Sequence, residues 1–388
     1  MTTGGPQLVE RREHAAGGTA YAAGSLLSTG GVGATGGTGA TGATGATATV
    51  ATLRAARRRV HRRRRVLLAA LTLLVVGLFL VRALLGDYRI SFVDGIRMVS
   101  GTTIPGASFI FMESTLPRAC MAVLAGAAFA SAGAAFQSML RNPLASPDVL
   151  GINLGASAAA VFAVVLLGWR GTPVAVVAFA GAVAVAAAIH GFAGRGGAAT
   201  GRMILVGVGL AAVLSSVVHW VLLRADIYRA QDALVWLTGS LGTVSWDEIA
   251  RLGVVVAVGL PLLTVATRQL GVLGLGDDLA AGLGVRAPRL RLVVTALVVL
   301  LTASATAVCG PIAFVGFLSG PIARRLTGGR TSVPAAALVG AAMVLAADYV
   351  SAYAVPGTAF PVGVVTGLAG APVLVWLLVA GRRSISEK

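Results

Sequence analysis

The chain has 388 residues, of which 56% are hydrophobic and only 12% are Asp, Glu, Lys or Arg, and its formal net charge is +17. Soluble domains carry about 25% charged residues, so the composition excludes an ordinary soluble globule and predicts an all-α polytopic membrane protein. The only lysine is Lys388. A P-loop needs a lysine inside a glycine-rich motif, so the chain is not itself a P-loop ATPase. The scattered histidines and cysteines predict no metal site.

Residues 1–65 differ in composition from the rest of the chain. They are rich in Gly, Ala and Thr, and they hold ten arginines against two acids. We expect a disordered cytoplasmic tail here, followed by a membrane domain over residues 66–388. The arginine run 57–65 directly precedes an apolar run and has no interleaved aromatic residues. It therefore favours a topology anchor that touches anionic lipid over a nucleic-acid site. One Gly-x-Gly-x-x-Gly match, at 31–36, lacks the flanking strand of a nucleotide site.

The apolar runs predict ten membrane spans, since about 20 residues are needed to cross the hydrocarbon core. The region 290–323 is either one bent span or two passes broken at Cys309-Gly310-Pro311. Two passes keep Arg324, Arg325 and Arg330 on the same side as the other arginine-rich loops, so the positive-inside rule favours ten spans with both termini cytoplasmic. The predicted spans are 66–86, 119–139, 150–168, 172–193, 203–223, 249–267, 290–309, 312–323, 333–353 and 361–380.

Within the spans, small residues at helical spacing predict close helix packing, as at Gly126, Gly133 and Gly155. Asp348 lies in the middle of a predicted span. An intramembrane carboxylate is costly and faces protein or water. Two interpretations stay open for it: a proton or ligand contact, or a bond between helices.

The chain contains four motifs in a defined order. They are Leu116-Pro117-Arg118 leading to Gly126, Gly133 and Gln137; the loop Arg141-Asn142-Pro143-Leu144-Ala145-Ser146-Pro147-Asp148-Val149-Leu150-Gly151; the segment Leu275-Gly276-Asp277-Asp278-Leu279-Ala280-Ala281-Gly282-Leu283-Gly284; and Gly310-Pro311 with Gly316. Over residues 66–380 this set resembles the FecCD-type permease subunits of ABC importers for iron-siderophores, haem and cobalamin. The resemblance implies the type II importer architecture, with ten helices in the plasma membrane.

The resemblance also implies roles for particular residues. It places the contact with the ATPase on the coupling segment, and carboxylates there favour the start of a short helix. It places docking of the binding protein on outer-face arginines and structural or gating roles on the loops. The implied coupling residues are Asp277, Asp278, Ala280, Gly282, Leu283 and Gly284; the docking residues are Arg118, Arg97 and Arg224; the structural or gating residues are Gln137, Arg141, Asn142, Pro143, Gly151, Gly310, Pro311 and Gly316.

The chain departs from the family at several outer-face positions. Relatives often carry arginines where this chain has Thr115 and Ser351, so Arg118 is the one family docking arginine that can be placed. This loss suggests that other arginines dock the binding protein, or that a second, different permease subunit carries more of the contact.

The leading hypothesis is therefore a permease subunit that imports a ferric siderophore or a related iron chelate. Its implied partners are ABC ATPase subunits, a second permease subunit (a heterodimer rather than a homodimer), an extracytoplasmic substrate-binding lipoprotein and the lipid membrane, without nucleic acid. The chain binds no cofactor itself, and ATP is used by the partner. The alternatives are a haem or cobalamin permease of the same family, a proton-coupled secondary transporter using Asp348, and a membrane scaffold or nucleic-acid tether acting through the arginine tail.

Overall fold

A computed structural model describes residues 41–386, apart from 87, 149, 194–198, 243, 274 and 275. The described residues form fourteen α-helices and one π-helical turn, Phe111–Thr115, which joins α3 to α4. The helices are α1 Thr41–Leu84, α2 Phe92–Val99, α3 Ala107–Ile110, α4 Leu116–Leu140, α5 Ile152–Val165, α6 Thr172–Ala193, α7 Ala199–Leu222, α8 Ile227–Thr238, α9 Trp246–Leu273, α10 Asp277–Gly282, α11 Ala287–Cys309, α12 Val315–Leu326, α13 Val333–Tyr353 and α14 Val362–Ser386.

The all-α membrane architecture is confirmed, but the count of ten spans is not. Among the described residues, seven helical stretches are long and apolar enough to cross a membrane. Two shorter apolar helical stretches, Ile152–Val165 and Val362–Trp376, add to them. The predicted span 312–323 corresponds to α12, which has 12 residues and a length of only about 18 Å. The sequence therefore located an apolar helix at each of the ten positions, while two of these helices, α5 with 14 residues and α12 with 12, are shorter than a full crossing.

The chain divides into two compact units, residues 1–57 and 58–388. In the first unit the described residues are helical from Thr41 onward. Residues 41–65 are thus helical instead of irregular, which agrees with the high helix propensity of the alanines and arginines at 55–65. Residues 1–40 of the predicted tail, including the glycine match at 31–36, lie outside the described residues. The predicted boundary at residue 65 stays a prediction.

Contacts between helix termini define two ends of the second unit. At one end, the C-terminus of α4 meets the N-terminus of α11 through Met139 and Thr295, and it meets the C-terminus of α9 through Arg141 and Leu273. We call this the basic end, because the arginines of the predicted inside loops cluster there. At the opposite end, α4 begins beside the C-terminus of α13, where Arg118 contacts Asp348.

Small residues let the central helices approach closely, as the sequence predicts. A side chain on Gly126 of α4 would come within 2.5 Å of the Gly340 carbonyl oxygen on α13. A side chain on Gly155 of α5 would come within 2.8 Å of the Gly181 carbonyl oxygen on α6. Such backbone approach gives dense packing where lipid provides no hydrophobic drive between helices. Buried α4 is the centre of the bundle and packs against α9, α11, α12 and α13.

The alternatives for region 290–323 are resolved by the direction of α12. Helix α11 ends at Cys309 and α12 begins at Val315. Gly316 packs on Gly133, and Gly320 packs on Gln137 one turn further along α4. Helix α12 therefore runs parallel to α4, toward the basic end. Helix α11 starts at the basic end, where α4 ends, and runs the opposite way. The chain thus reverses direction between α11 and α12, and the interpretation of 290–323 as a single bent span is wrong.

Candidate functional site

A buried ion triad closes the end opposite the basic end. The Asp348 side chain is 0% exposed, and it accepts hydrogen bonds from Nε of Arg82 at 2.5 Å and from Nε of Arg118 at 2.8 Å. These three residues belong to α13, α1 and α4. Within the part of the chain that is described, Nη1 of Arg82 has no hydrogen-bond partner. Its guanidinium instead lies 5.8 Å from the centroid of the Tyr353 ring, in cation–π range.

The triad gives Asp348 a structural place and occupies Arg118. Both oxygens of the carboxylate are bonded to arginine, so the carboxylate is not open to water as a proton carrier. The interpretation of Asp348 as a bond between helices is the one that the geometry supports. The Arg118 side chain is only 18% exposed, and its charge is already paired. Its predicted docking role stays a prediction.

A second polar cluster lies where the short helices α5 and α12 begin. The Thr306 hydroxyl of α11 donates to Oδ1 of Asn153 at 3.0 Å, and the Asn153 amide donates to Oδ1 of Asp148. Ser146 donates to the other oxygen of Asp148 at 3.1 Å. Gly316, near the start of α12, faces the same carboxylate and the carbonyl of Phe129 in the middle of α4. The loop after α4 thus folds back into the bundle, and its polar groups find partners there as buried polar groups require.

Gly151 marks the start of α5. It has φ +78°, and a side chain at this position would come within 3.0 Å of Cβ of Ala211 on α7. Glycine adopts a positive φ without steric cost. The predicted structural role of Gly151 thus has a physical basis, namely a tight entry into α5 against α7.

Two predicted structural residues tie α4 to its neighbours at the basic end. Gln137 is buried, donates to the Phe317 carbonyl at 2.9 Å and accepts from Arg324 at 3.1 Å. Arg141 caps α4 in the left-handed conformation, with φ 51°, and donates to the Leu273 carbonyl at the end of α9. The loop that follows turns tightly, since Oδ1 of Asn142 accepts from the backbone N–H of Leu144 at 2.9 Å. Pro143 is exposed next to this turn.

The predicted coupling segment forms the short helix α10, between α9 and α11 at the basic end. It runs from Asp277 to Gly282, and Gly284 follows with φ +83°. Ala280 is fully buried, whereas Leu279 and Leu283 are 63% and 66% exposed. Leucines four residues apart lie on one helix face, so α10 presents an apolar edge. Asp278 is exposed beside it.

Gly310 and Pro311 break the chain between α11 and α12. Gly310 has φ +70°, and a side chain there would come within 3.0 Å of Cα of Gly239. The Ser240 N–H donates to the Cys309 carbonyl at 2.9 Å. The break is therefore locked against the turn after α8.

The two other predicted docking arginines are exposed. Arg97 lies on α2, 3.6 Å from Asp94, and its side chain is 63% exposed. Arg224 lies after α7, and its guanidinium stacks 4.6 Å from the Trp220 ring centroid. Both lie near the end opposite the basic end, where a soluble partner can reach them.

Sequence reasoning missed Arg82, Asn153 and Thr306. An arginine inside an apolar run is as costly as the carboxylate that was singled out, so Arg82 carried a usable signal. Asn153 and Thr306 carried none, because their pairing depends on how the loop re-enters the bundle. No group of three His, Cys, Asp or Glu residues in the described part of the chain has metal-site geometry.

Comparisons with known proteins place this arrangement in a family. A model of the FecCD transport family matches residues 36–380. The ferric enterobactin transport system permease protein FepG of Escherichia coli (strain K12) is 38% identical over 277 residues, covering 71% of this chain and 84% of that protein. The Fe(3+)-citrate import system permease protein YfmE of Bacillus subtilis (strain 168) is 39% identical over 277 residues, covering 70% and 82%.

The fold also has a counterpart among solved structures. A chain described as an inward-facing conformation of a metal-chelate type ABC transporter superposes with a TM-score of 0.70 at 25% identity. The match covers 81% of this chain and 98% of that chain. The similarity therefore extends over the whole membrane domain.

Proposed function

The chain belongs to the FecCD transport family, and on that premise we propose that it is the permease subunit of an ATP-driven importer for a ferric siderophore or a related iron chelate. The observation that carries the proposal is the similarity over 277 residues to permeases named for ferric enterobactin and ferric citrate, at 38% and 39% identity. A haem or cobalamin substrate has no such support among these relatives. A transport subunit of this kind is not an enzyme.

The proposed orientation places the basic end in the cytoplasm. Arg141, Arg268, Arg324 and Arg330 lie at this end, and the positive-inside rule assigns such loops to the cytoplasmic side. With ten passes, both termini of the chain are cytoplasmic in the plasma membrane. The opposite end, with the ion triad, faces outward.

The proposed ATPase contact is α10, with Asp277, Asp278, Ala280, Gly282, Leu283 and Gly284 as its residues. A short helix with an exposed apolar edge at the cytoplasmic end can insert that edge into a groove on a partner subunit. Since Lys388 is the only lysine, the chain lacks a P-loop of its own, and the ATP is used by the partner subunits. Nucleotide-driven closure of the ATPases would move α10 and, through the Arg141–Leu273 contact, the end of α4.

The proposed outward contact is an extracytoplasmic binding lipoprotein that delivers the chelate. Arg97 and Arg224 are exposed and suit carboxylates on such a partner, while Arg118 is held by Asp348. A second, different permease chain completes the pore and supplies the outer-face arginines that Thr115 and Ser351 replace here. The proton-coupled alternative is not favoured, because Asp348 is enclosed by two arginines.

Two measurements test the proposal separately. Deletion of the gene is expected to abolish uptake of radiolabelled ferric chelate in a strain without a redundant system, and normal uptake would contradict the proposed function. Replacing Leu283 by Asp is expected to abolish uptake and to uncouple ATP hydrolysis in proteoliposomes of the whole complex, since a charge on the apolar edge disrupts its seat. The matched control Leu283→Met keeps the apolar edge and should transport normally. Uptake by Leu283→Asp at the wild-type rate would remove α10 from the ATPase contact.

A further inference from the structure

An arginine-lined cavity opens at the basic end between the start of the first span and the loop that joins α12 to α13. The cavity has a volume of about 310 Å³, and Arg63, Arg64 and Arg330 line it. A smaller cavity of about 100 Å³ adjoins it, shares Arg64 and adds Arg268 of α9. Four arginines from three parts of the fold therefore line two neighbouring cavities that share Arg64, Thr331 and Ser332, and we call these two cavities together the basic pocket.

The charges in the basic pocket are not compensated within the described residues. The ion pairs recorded there involve Asp94, Asp226, Asp232 and Asp348, and none of them includes an arginine of the basic pocket. Like charges that line shared cavities repel one another. An anion in the pocket would remove that repulsion and form charge-assisted hydrogen bonds with several guanidinium groups.

Helix α13 adds to the positive potential of the basic pocket. Ser332 caps this 21-residue helix and lines both cavities. The positive end of the helix dipole therefore opens on the pocket and favours an anion there. Phosphate is the anion that arginine forks and helix N-termini suit best.

The walls of the basic pocket distinguish a lipid from a free anion. Val60, Leu67 and Leu326 line the larger cavity together with the arginines. Leu67 belongs to a membrane-length stretch, Arg58–Leu84. A phosphate in the pocket can thus be continued by acyl chains beside this apolar wall, which a free phosphate does not need.

From this geometry we infer that the basic pocket binds the phosphate headgroup of an anionic phospholipid from the leaflet at the basic end. The lipid then acts as a clamp. Beyond the triad at Arg82, α1 is held at its basic end by the small apolar cluster in which Leu67, Leu68 and Leu71 pack against α13. A headgroup bonded to Arg63, Arg64 and Arg330 fastens α1 to the loop before α13. Neither the substrate nor the ATPase enters the inference, so it stands independently of the proposed function.

The test compares two triple variants of the full chain, purified with the subunits that accompany it. The pocket variant carries Arg63→Gln, Arg64→Gln and Arg330→Gln, and it lacks three of the four arginines of the basic pocket. The control variant carries Arg59→Gln, Arg62→Gln and Arg65→Gln. It removes the same number of charges, at positions of the arginine run that do not line the basic pocket. Each protein is placed in phosphatidylcholine nanodiscs, with and without phosphatidylglycerol. Melting temperature and the lipid retained in native mass spectrometry are the two measurements.

Wild-type protein and the control variant are expected to melt several degrees higher with phosphatidylglycerol and to retain it, because a ligand that binds the folded state stabilises it. The pocket variant should lose most of both effects. In phosphatidylcholine alone it should melt no lower than wild type, since it loses only repulsion. If the pocket variant melts lower than wild type in phosphatidylcholine alone, the comparison is repeated with two single variants, Arg330→Gln for the pocket and Arg62→Gln as its control.

Three results would overturn the inference. The pocket variant keeps the phosphatidylglycerol shift, or the control variant loses the shift equally, or inorganic phosphate reproduces the whole shift in phosphatidylcholine nanodiscs. The last result would replace the lipid by a free anion. Normal chelate uptake or its loss bears on the proposed function and changes none of these readings.

Discussion

The two ends of the bundle handle charge in opposite ways. At the end opposite the basic end, Asp348 and two arginines from α1 and α4 form a triad, in which the Asp348 and Arg82 side chains are 0% and 2% exposed. At the basic end, arginines donate to single acceptors such as the Leu273 carbonyl and the Gln137 amide, or line open cavities. Buried paired charges hold one geometry, because breaking the pair leaves an uncompensated charge.

This difference suggests which end is fixed and which end adjusts. The triad joins α1, α4 and α13 at the end opposite the basic end. At the basic end, Arg141 and Arg324 each donate to an uncharged acceptor, and losing such a bond costs about 1.5–3 kcal/mol, less than the about 3–5 kcal/mol for breaking a buried ion pair. The proposed ATPase contact at α10 lies at this less strongly tied end.

The largest effect is expected from breaking the triad with Asp348→Asn. The change leaves Arg82 buried opposite a neutral amide, and removing one member of a buried ion pair costs about 3–5 kcal/mol. We expect a large fall in folded protein after extraction, measured by fluorescence-detected size exclusion and thermal melting. Adding Arg82→Leu to Asp348→Asn should recover part of the loss, because the orphaned charge is removed as well.

A control at the same end keeps this result specific. Asp94→Asn also removes a carboxylate that faces an arginine, but its side chain is 40% exposed, so its melting temperature should stay close to that of wild type. Equal losses of folded protein for Asp94→Asn and Asp348→Asn would show that burial of the triad does not explain the effect of Asp348→Asn.

A smaller effect on stability and a clear effect on transport are expected from Arg141→Gly. Arg141 holds φ 51° at the C-terminus of α4, and glycine prefers this conformation. The relieved strain should offset most of the lost hydrogen bond, so the melting temperature changes little. Loss of the contact between α4 and the end of α9 removes a bond to a charged group, about 1.5–3 kcal/mol.

If that contact transmits the motion of α10, ferric chelate uptake in proteoliposomes should fall about tenfold, the factor for 1.4 kcal/mol. Arg141→Lys keeps the charge without the planar fork and should fall in between. Wild-type uptake by Arg141→Gly would exclude the contact from coupling, and a stability loss as large as that of Asp348→Asn would contradict the adjustable basic end.

The sequence was sufficient for features that follow from local chemistry. Apolar runs located the helices, and the glycines in them marked close packing because only backbone fits there. The aspartates at 277 and 278 indicated the start of a short helix, and α10 begins at Asp277. The positive-inside rule placed Arg324 and Arg325 on the same side as the other arginine-rich loops, and this required the chain to reverse direction near Gly310.

Features that depend on pairing between distant residues were out of reach. Arg82 and Asp348 are 266 residues apart, and Asn153 and Thr306 are 153 apart; neither periodicity nor composition connects them. The short length of α5 was missed because apolar residues continue past both of its ends, at 150–151 and at 166–168.

The smallest effect on stability is expected from Arg97→Gln, which tests whether the outward end uses exposed charge for docking. Arg97 and Asp94 are 3.6 Å apart, and exposed pairs contribute at most about 1 kcal/mol. Ser91 still caps α2 through the Asp94 N–H, so the melting temperature should not change. If Arg97 steers the binding protein, the association rate of the binding protein with the complex should fall about two- to threefold in the variant and become less sensitive to salt.

Arg62→Gln removes an equal charge at the basic end and should leave that association rate unchanged. An association rate that is the same for wild type and Arg97→Gln would place the docking charge elsewhere, with Arg224 as the next position to replace.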